Sequence, residues 1–311
     1  HNSGTFLIEN QKAKIISTIQ GTWQIKTIDN QEDLLIQGNY DGLYILENKN
    51  GNWQLKNKID GFNISSRYFE FLTNKEIYVS HEYKGLFKLK LNKNFTKVTT
   101  FNQDSLVEKG LYSSLIKFDN EILYTSKNGV FKYHTSNNQF EKDSLFSKLI
   151  NEKGFTSGKL IPDTNTNKLW SFSSNGISYL TASKLSSNKK VNTIAFPVDL
   201  RKDITGYENI THINDEQFLL GSTTGYVILD LSKITNHNHK ISIDQIIVSR
   251  LKNGDSEDFV NLKSSAEFEN KANNLKFSYS ISEFLKTQKP EYCYKLKGMY
   301  NEWSDWTTNG S

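Results

Sequence analysis

The chain has 311 residues, with 38 Lys and Arg against 34 Asp and Glu, 15 Tyr, 19 Phe and 5 Trp, but one Cys, one Met and three Pro. The net charge of +4 is spread thinly along the chain, which excludes a dense nucleic-acid footprint. A single Cys excludes an internal disulfide framework, and no window approaches the roughly 18 consecutive apolar residues of a membrane-spanning helix.

At the start of the chain, GTFLIE and IIS read as two strands around the turn ENQKAK. A fuller unit follows. WQIKTI opens it at Trp23, LLIQ and LYILE continue it around Asn39-Tyr40-Asp41-Gly42, and WQLK ends it after an Asn50-Gly51 hairpin signal. YFEFL, IYVS, LFKLKL and FTKVTTF repeat the pattern, as do SLIKF, ILYTS, VFKYH and QFEKDSLF. A fourth copy is looser, with KLIPDTNTNKLWSF as its inner pair and a long outer section through Lys184–Phe196. NITHI, FLLGS and YVILDL supply three strands of a last copy.

Aligned on one glycine, the copies fall at Gly4, Gly42, Gly85, Gly129, Gly176 and Gly225, spaced 38, 43, 44, 47 and 49 residues apart. A strand-built repeat of about 40–50 residues is the signature of a β-propeller, one four-stranded blade per repeat. The second strands LLIQ, IYVS, ILYT and FLLG are nearly continuous apolar runs, whereas the fourth strands mix polar with apolar. That contrast fits inner strands covered on both faces and an outer strand that is not. The expected fold is therefore all-β: six visible blade repeats over residues 1–236, part of a seven-bladed ring whose first blade lacks its two inner strands. The 311 residues are accordingly expected to be a piece of a longer chain.

Composition shifts after Asp230. SKITNHNHK is a polar linker, and beyond it ISIDQIIVSR, NLKFSYSI and YCYKLKG are strands with period-2 alternation. Leu275, Phe277, Tyr279 and Ile281 share one face, as do Tyr292, Tyr294 and Leu296. Residues 241–311 are expected to form a separate Ig-like β-sandwich.

YCYKLKGMYNEWSDW, Tyr292–Trp306, resembles the triple-tyrosine domain, whose signature is Tyr-x-Tyr-x-Leu-x-Gly followed by a tryptophan; Tyr292, Tyr294, Leu296, Gly298 and Trp303 match it. SHEYKGLFKL and GNYDGLYIL are similar to the regulator-type propeller repeats that ordinarily precede that domain. The family's third tyrosine lies on a strand beyond the tryptophan, so the sandwich here is expected to be incomplete. The resemblance implies the periplasmic sensor of a bacterial inner-membrane regulator: a propeller that binds a small ligand, an oligosaccharide or other nutrient, and a sandwich that relays the event. A downstream membrane helix and a histidine kinase or helix-turn-helix output complete such a regulator, which is expected to pair as a homodimer. In that family the matched motif residues are structural.

Propeller ligands usually sit on the face bearing the loops from second to third strand. Here those loops are Asn39-Tyr40-Asp41, His81-Glu82-Tyr83-Lys84, Lys127-Asn128, Ser174-Asn175 and Thr223-Thr224. The first two combine aromatic, acidic and imidazole groups, so Tyr40, Asp41, His81, Glu82 and Tyr83 are the candidate ligand contacts; solvated turn chemistry is the plain alternative. They are expected on one face, in neighbouring loops.

Other features carry less. His237 and His239 flank Asn238 without a local Cys or carboxylate, a poor metal set, and Cys293 has no nearby histidine to activate it. Trp303 and Trp306 suit a packed edge or a partner anchor. The inner strands offer Glu70 and His212 and little else, so no catalytic residue, metal or cofactor is expected. Two other function classes remain: an interaction scaffold without a small ligand, and a propeller lyase or hydrolase.

Overall fold

A computed structural model of the chain describes residues 1–182, 189–234, 240–249, 258–260, 267, 274–283 and 290–310. The chain divides into two compact units, His1–Leu231 and Ser232–Ser311, each described below by itself. The first unit ends at Leu231, just before the polar linker.

The first unit begins with a two-stranded hairpin, β1 (Thr5–Glu9) and β2 (Lys12–Ser17). Five antiparallel sheets follow, each a meander with strands in sequence order. The first blade comprises β3 (Gln24–Ile28), β4 (Gln31–Asn39), β5 (Gly42–Lys49) and β6 (Asn52–Lys58). The second comprises β7 (Tyr68–Thr73), β8 (Glu76–His81), β9 (Gly85–Leu91) and β10 (Val98–Asp104). In the third are β11 (Ser114–Phe118), β12 (Glu121–Ser126), β13 (Gly129–His134) and β14 (Gln139–Lys142). The fourth holds β15 (Ile161–Asp163), β16 (Lys168–Phe172), β17 (Gly176–Ala182) and β18 (Lys189–Ala195). Three strands make the fifth: β19 (Ile210–Asn214), β20 (Gln217–Ser222) and β21 (Gly225–Asp230).

The described residues thus build five propeller blades, not the six or seven expected. The sixth glycine repeat, at Gly4, supplies only the hairpin of β1 and β2. In all five blades the third strand starts on the repeat glycine. At Gly42 the reason is explicit: φ is +133°, and a Cβ there would lie 2.4 Å from the Phe62 carbonyl oxygen.

Four apolar layers hold the blades together, one between each consecutive pair. Ile36, Leu43 and Ile45 meet Phe69, Ile77 and Val79 between the first and second. Tyr78 and Leu86 meet Leu115, Tyr124 and Tyr133 between the second and third. Leu123 and Val130 meet Leu169 and Leu180 in the next, and Trp170 and Ile177 meet Ile210, Phe218 and Leu220 in the last. Trp170 is fully buried at 0% exposure, which places it among side chains worth roughly 1.5–3 kcal/mol or more of burial. The second strands β8, β12 and β16 are buried along nearly their whole length, while β10 is mostly exposed.

Two outer strands differ from the sequence-based expectation. Phe95 sits in a turn at φ +54°, so β10 starts at Val98 instead. After Lys142, the Asp143 carboxylate accepts the Leu145 and Phe146 N–H groups at 2.8 Å each, and the chain enters a 3-10 turn, Phe146–Leu149, whose apolar side chains are buried.

The second unit has one described sheet, in the order β23 (Asp258–Phe259), β22 (Ile241–Ser249), β24 (Asn274–Ile281). Ile241 pairs with Ile281 and Ile243 with Tyr279; after a bulge, Ile246 pairs with Phe277 and Val248 with Leu275, so the alternating apolar residues share one face. YCYKLKG is not a continuous strand among the described residues. Tyr292 makes a single bridge to Thr307, Ser304 N–H donates to the Tyr294 carbonyl, and Leu296 accepts the N–H groups of Met299 and Tyr300 in a turn. Of the motif side chains only Tyr292 is buried, edge-on to Tyr279 at 5.1 Å, whereas Tyr294, Leu296 and Trp303 are exposed and Gly298 takes φ +93°.

Candidate functional site

Each inner strand is entered by a short segment, and in the first unit these segments meet. Arg67, one residue before β7, is their hub. Its guanidinium lies 5.0 Å from the Trp23 ring, which precedes β3, 5.1 Å from Tyr68 and 4.7 Å from Tyr207, which precedes β19. Nη2 donates to the Gly206 carbonyl, so the entry to the fifth blade is held against the entry to the second. Nη1 lies 3.5 Å from Glu82 Oε1, in the loop from β8 to β9.

Beside this hub is a buried polar cluster. Glu208 is 2% exposed; its Oε1 accepts from Ser157 Oγ at 2.9 Å, its backbone carbonyl accepts from Lys159 Nζ at 2.6 Å, and its Oε2 has no partner. Burial holds the Lys159 ammonium below its ordinary pKa, helped by the Arg67 charge and opposed by Glu208. Burial also pushes the Tyr68 phenol up to about 12, against the pull of Arg67.

Between the first two blades the hub borders a cleft of about 230 Å³ lined by Trp23, Ser65, Arg67, Tyr68, Ser80, His81, Glu82 and Tyr83. Trp23 Nε1 donates to Ser65 Oγ at 3.1 Å, fixing the indole. His81 Nδ1 accepts the backbone N–H groups of Tyr83 and Lys84 at 3.1 and 3.2 Å, which shapes the loop and leaves Nε2 to carry the ring proton. Burial and the Lys84 charge lower the His81 pKa, with Glu82 opposing, so the ring is a neutral donor. Ser80 is 1% exposed and its hydroxyl, itself buried, has no protein partner.

No family model and no curated protein matches the sequence. Among solved structures, the chain is similar to the extracellular domain assigned to a one-component system of B. thetaiotaomicron, at 15% identity and TM-score 0.45, covering 94% of this chain and 44% of that one. It is similar also to the extracellular domain assigned to a hybrid two-component system of the same organism, at 16% identity and TM-score 0.44, covering 97% and 47%. A protein of Bacteroides fragilis assigned as a 6-phosphogluconolactonase aligns at 11% identity and TM-score 0.49, over 86% of this chain and 90% of that one. The chain therefore spans less than half the length of the two regulator domains.

Of the residues singled out in the sequence, the cleft gathers His81, Glu82 and Tyr83. Tyr40 stands behind it, its ring edge-on to Trp23 at 5.3 Å and its hydroxyl donating to Asn2. Asp41 is not brought there: its carboxylate accepts from Tyr44 Oη and Lys58 Nζ, both at 2.8 Å. Glu70 and His212 form no acid-base pair, since Lys26 Nζ lies 2.8 Å from both Glu70 oxygens and His212 contacts the Asp215 carbonyl. Burial raises the Glu70 pKa against that ion pair. His237 and His239 lie outside the described residues. Among the described residues no cluster of His, Cys, Asp and Glu could hold a metal, and no helix is long and apolar enough to cross a membrane.

Trp23, Ser65, Arg67, Tyr68 and Ser80 were not singled out in the sequence. An aromatic or cationic residue directly before the first two inner strands, Trp23 in WQIKTI and Arg67 in SRYFEFL, is the signal that points to two of them.

Proposed function

We propose that this chain is the extracytoplasmic sensing region of a membrane-anchored signalling protein, and that the cleft between the first two blades receives a small polar ligand such as a sugar. The observation that carries the proposal is a cleft that brings together an imidazole, a guanidinium, a carboxylate and aromatic faces. The likeness of Tyr292–Trp306 to the triple-tyrosine segment supports the regulator context. In that context the second unit is the sandwich that passes the event to a downstream membrane helix, pairing across a two-fold axis in the parent protein.

A thermal-shift screen of this chain with mono- and oligosaccharides, amino acids and short peptides tests the reading. A ligand present at 100 times its Kd stabilises by about 2.7 kcal/mol, an easily measured rise in Tm. Stabilisation by one compound class, lost in Glu82→Gln, is the expected result. A screen without any stabilising compound favours a scaffold instead, and consumption of a compound favours an enzyme.

A further inference from the structure

We infer that Arg67 is a latch between the second and fifth blades, and that the state of the cleft sets how firmly the latch holds. The inference rests on the ligand-sensing reading above for what fills the cleft, and adds the route by which the fifth blade responds. Three observations carry it.

Connectivity comes first. The apolar layers join consecutive blades, and among the described residues none joins the second to the fifth. Arg67 nonetheless reaches from the entry of β7 to the entry of β19. Nη2 donates to the Gly206 carbonyl, 139 positions along the sequence, and the Tyr207 ring lies 4.7 Å from the guanidinium.

The second is the build of the segment that Arg67 holds. Tyr207 N–H donates to the Ile204 carbonyl at 2.8 Å, closing a turn in which Gly206 takes φ +79° and keeps its own carbonyl for Arg67. A Cβ at Gly206 would lie 3.2 Å from Nη2, so a larger residue would push the guanidinium back. Glu208, two residues on, is fixed by Ser157 and Lys159 from the entry to the fourth blade. Gly221 N–H donates to Asn209 Oδ1 at 3.1 Å and Thr223 N–H to the Lys202 carbonyl at 2.9 Å, which tie the segment to the end of β20. Residues 202–209 are thus anchored in the fourth and fifth blades and, through Arg67, in the second.

The third is how Arg67 is shared. On the cleft side Nη1 stands 3.5 Å from Glu82 Oε1, longer than the roughly 2.7–2.9 Å of a charge-assisted hydrogen bond. Glu82 and Gly206 are met by different nitrogens of one planar, rigid group, so shortening the first contact reorients the second. A cleft occupant that engages Glu82 or Arg67 therefore acts on the entry to the fifth blade without touching it.

Amide exchange of this chain followed by NMR without ligand, in a double-mutant cycle of Arg67→Met and Glu82→Gln, tests the latch. Tyr207, Gly221 and Thr223 report on the segment, and Leu123 and Trp170 on strands held by the apolar layers. Arg67→Met should speed exchange at the three reporters about tenfold and leave Leu123 and Trp170 unchanged. Arg67→Lys, which keeps the charge and loses the fork, takes its place in the cycle should Arg67→Met fail to fold. Glu82→Gln frees Arg67 for Gly206, so it should slow the reporters about threefold, and that effect should vanish in the Arg67 variant. Reporters that stay unchanged in the Arg67 variant, or that rise only as much as Leu123 and Trp170, would overturn the latch. A Glu82→Gln effect that is absent, or that persists in the Arg67 variant, would overturn its coupling to the cleft. Because no ligand is added, each of these outcomes leaves the binding reading standing, and an empty ligand screen leaves the latch standing.

Discussion

Two residues, Tyr40 and Asp41, join β4 to β5 in the first blade, and three, Glu82, Tyr83 and Lys84, join β8 to β9 in the second. The two loops hold the same place in the repeat and carry similar side chains. Their surroundings differ. In the first blade, the buried Gln37 and Asn39 at the end of β4 are spent on the amino-terminal segment: Thr5 Oγ1 donates to Gln37 Oε1 at 2.8 Å, Gln37 Nε2 to Asn39 Oδ1 at 2.9 Å, and Asn39 Nδ2 to the Gln20 carbonyl and Thr22 Oγ1 at 3.1 Å each. Asp41 is paired with Tyr44 and Lys58. In the second blade the corresponding strand end offers Ser80, with no partner, and the loop faces Arg67 at long range. A loop whose polar atoms are all engaged is architecture; one whose neighbours retain unused donors and acceptors has room for a ligand.

The repeat glycines give the largest expected contrast. Gly42→Ala forces a Cβ to within 2.4 Å of the Phe62 carbonyl, a backbone atom beside the first apolar layer, at φ +133°. Strain at that φ and the displaced backbone together should cost about 3 kcal/mol or more. Gly85→Ala carries the same kind of φ strain, at +101°, but its nearest neighbour is the end of the flexible Gln103 side chain at 3.0 Å. About 1–2 kcal/mol is expected there. Thermal and urea unfolding of the two variants should rank them in that order; equal losses would mean that the two corners are equally closed.

Next in size is a pair of polar deletions. Asn39→Ala leaves Gln37 Nε2 and the Gln20 carbonyl without a buried partner, and should cost about 2 kcal/mol. Ser80→Ala removes a buried hydroxyl that nothing in the protein satisfies, so its unfolding midpoint should stay within about 0.5 kcal/mol of the parent or rise. A loss at Ser80 as large as at Asn39 would show that its hydroxyl is engaged in the free protein.

The same contrast explains what the sequence could and could not reveal. Strands such as LLIQ and IYVS are legible because burial on both faces forces continuous apolar runs, and the glycine register is legible because each third-strand start is either crowded, as at Gly42, Gly129 and Gly176, or at positive φ, as at Gly85 and Gly225. His81, Glu82 and Tyr83 stand out as a polar loop between two such runs. Arg67 does not, since the segments between blades have no periodicity and its partner Gly206 lies 139 residues further on. The direction of Asp41 was equally hidden, because Lys58 belongs to the outer strand of the same blade and only the folded sheet brings it near. In the second unit, alternation correctly marks the shared apolar face of β22 and β24, yet alternation in YCYKLKG does not make a strand: the chain turns at Leu296 to bring Ser304 and Thr307 back to Tyr294 and Tyr292.

The smallest expected effect separates the two loops by pH. Burial alone would raise the Asp41 carboxyl, but the hydrogen bonds from Lys58 and Tyr44 and the Lys58 charge hold it below its ordinary value. In the second loop, burial and Lys84 lower the His81 pKa while Glu82 opposes them, and Nδ1 must stay unprotonated to accept two backbone N–H groups. In both cases the folded pKa lies below the unfolded one, so the stabilisation is present above the unfolded value and is lost as pH falls through the folded value. The windows differ. Acidification should loosen residues 82–84 first, from about pH 6.5 downward, and the Asp41 corner only below about pH 3.9. Amide exchange followed across both loops, with the His81 ring titrated by NMR, checks the order. His81→Asn, whose side-chain oxygen can accept the same backbone donors without titrating, should abolish the first step and leave the second unchanged. Loosening of both loops in a single step, or a first step that persists in His81→Asn, would assign the acid sensitivity to groups outside this loop.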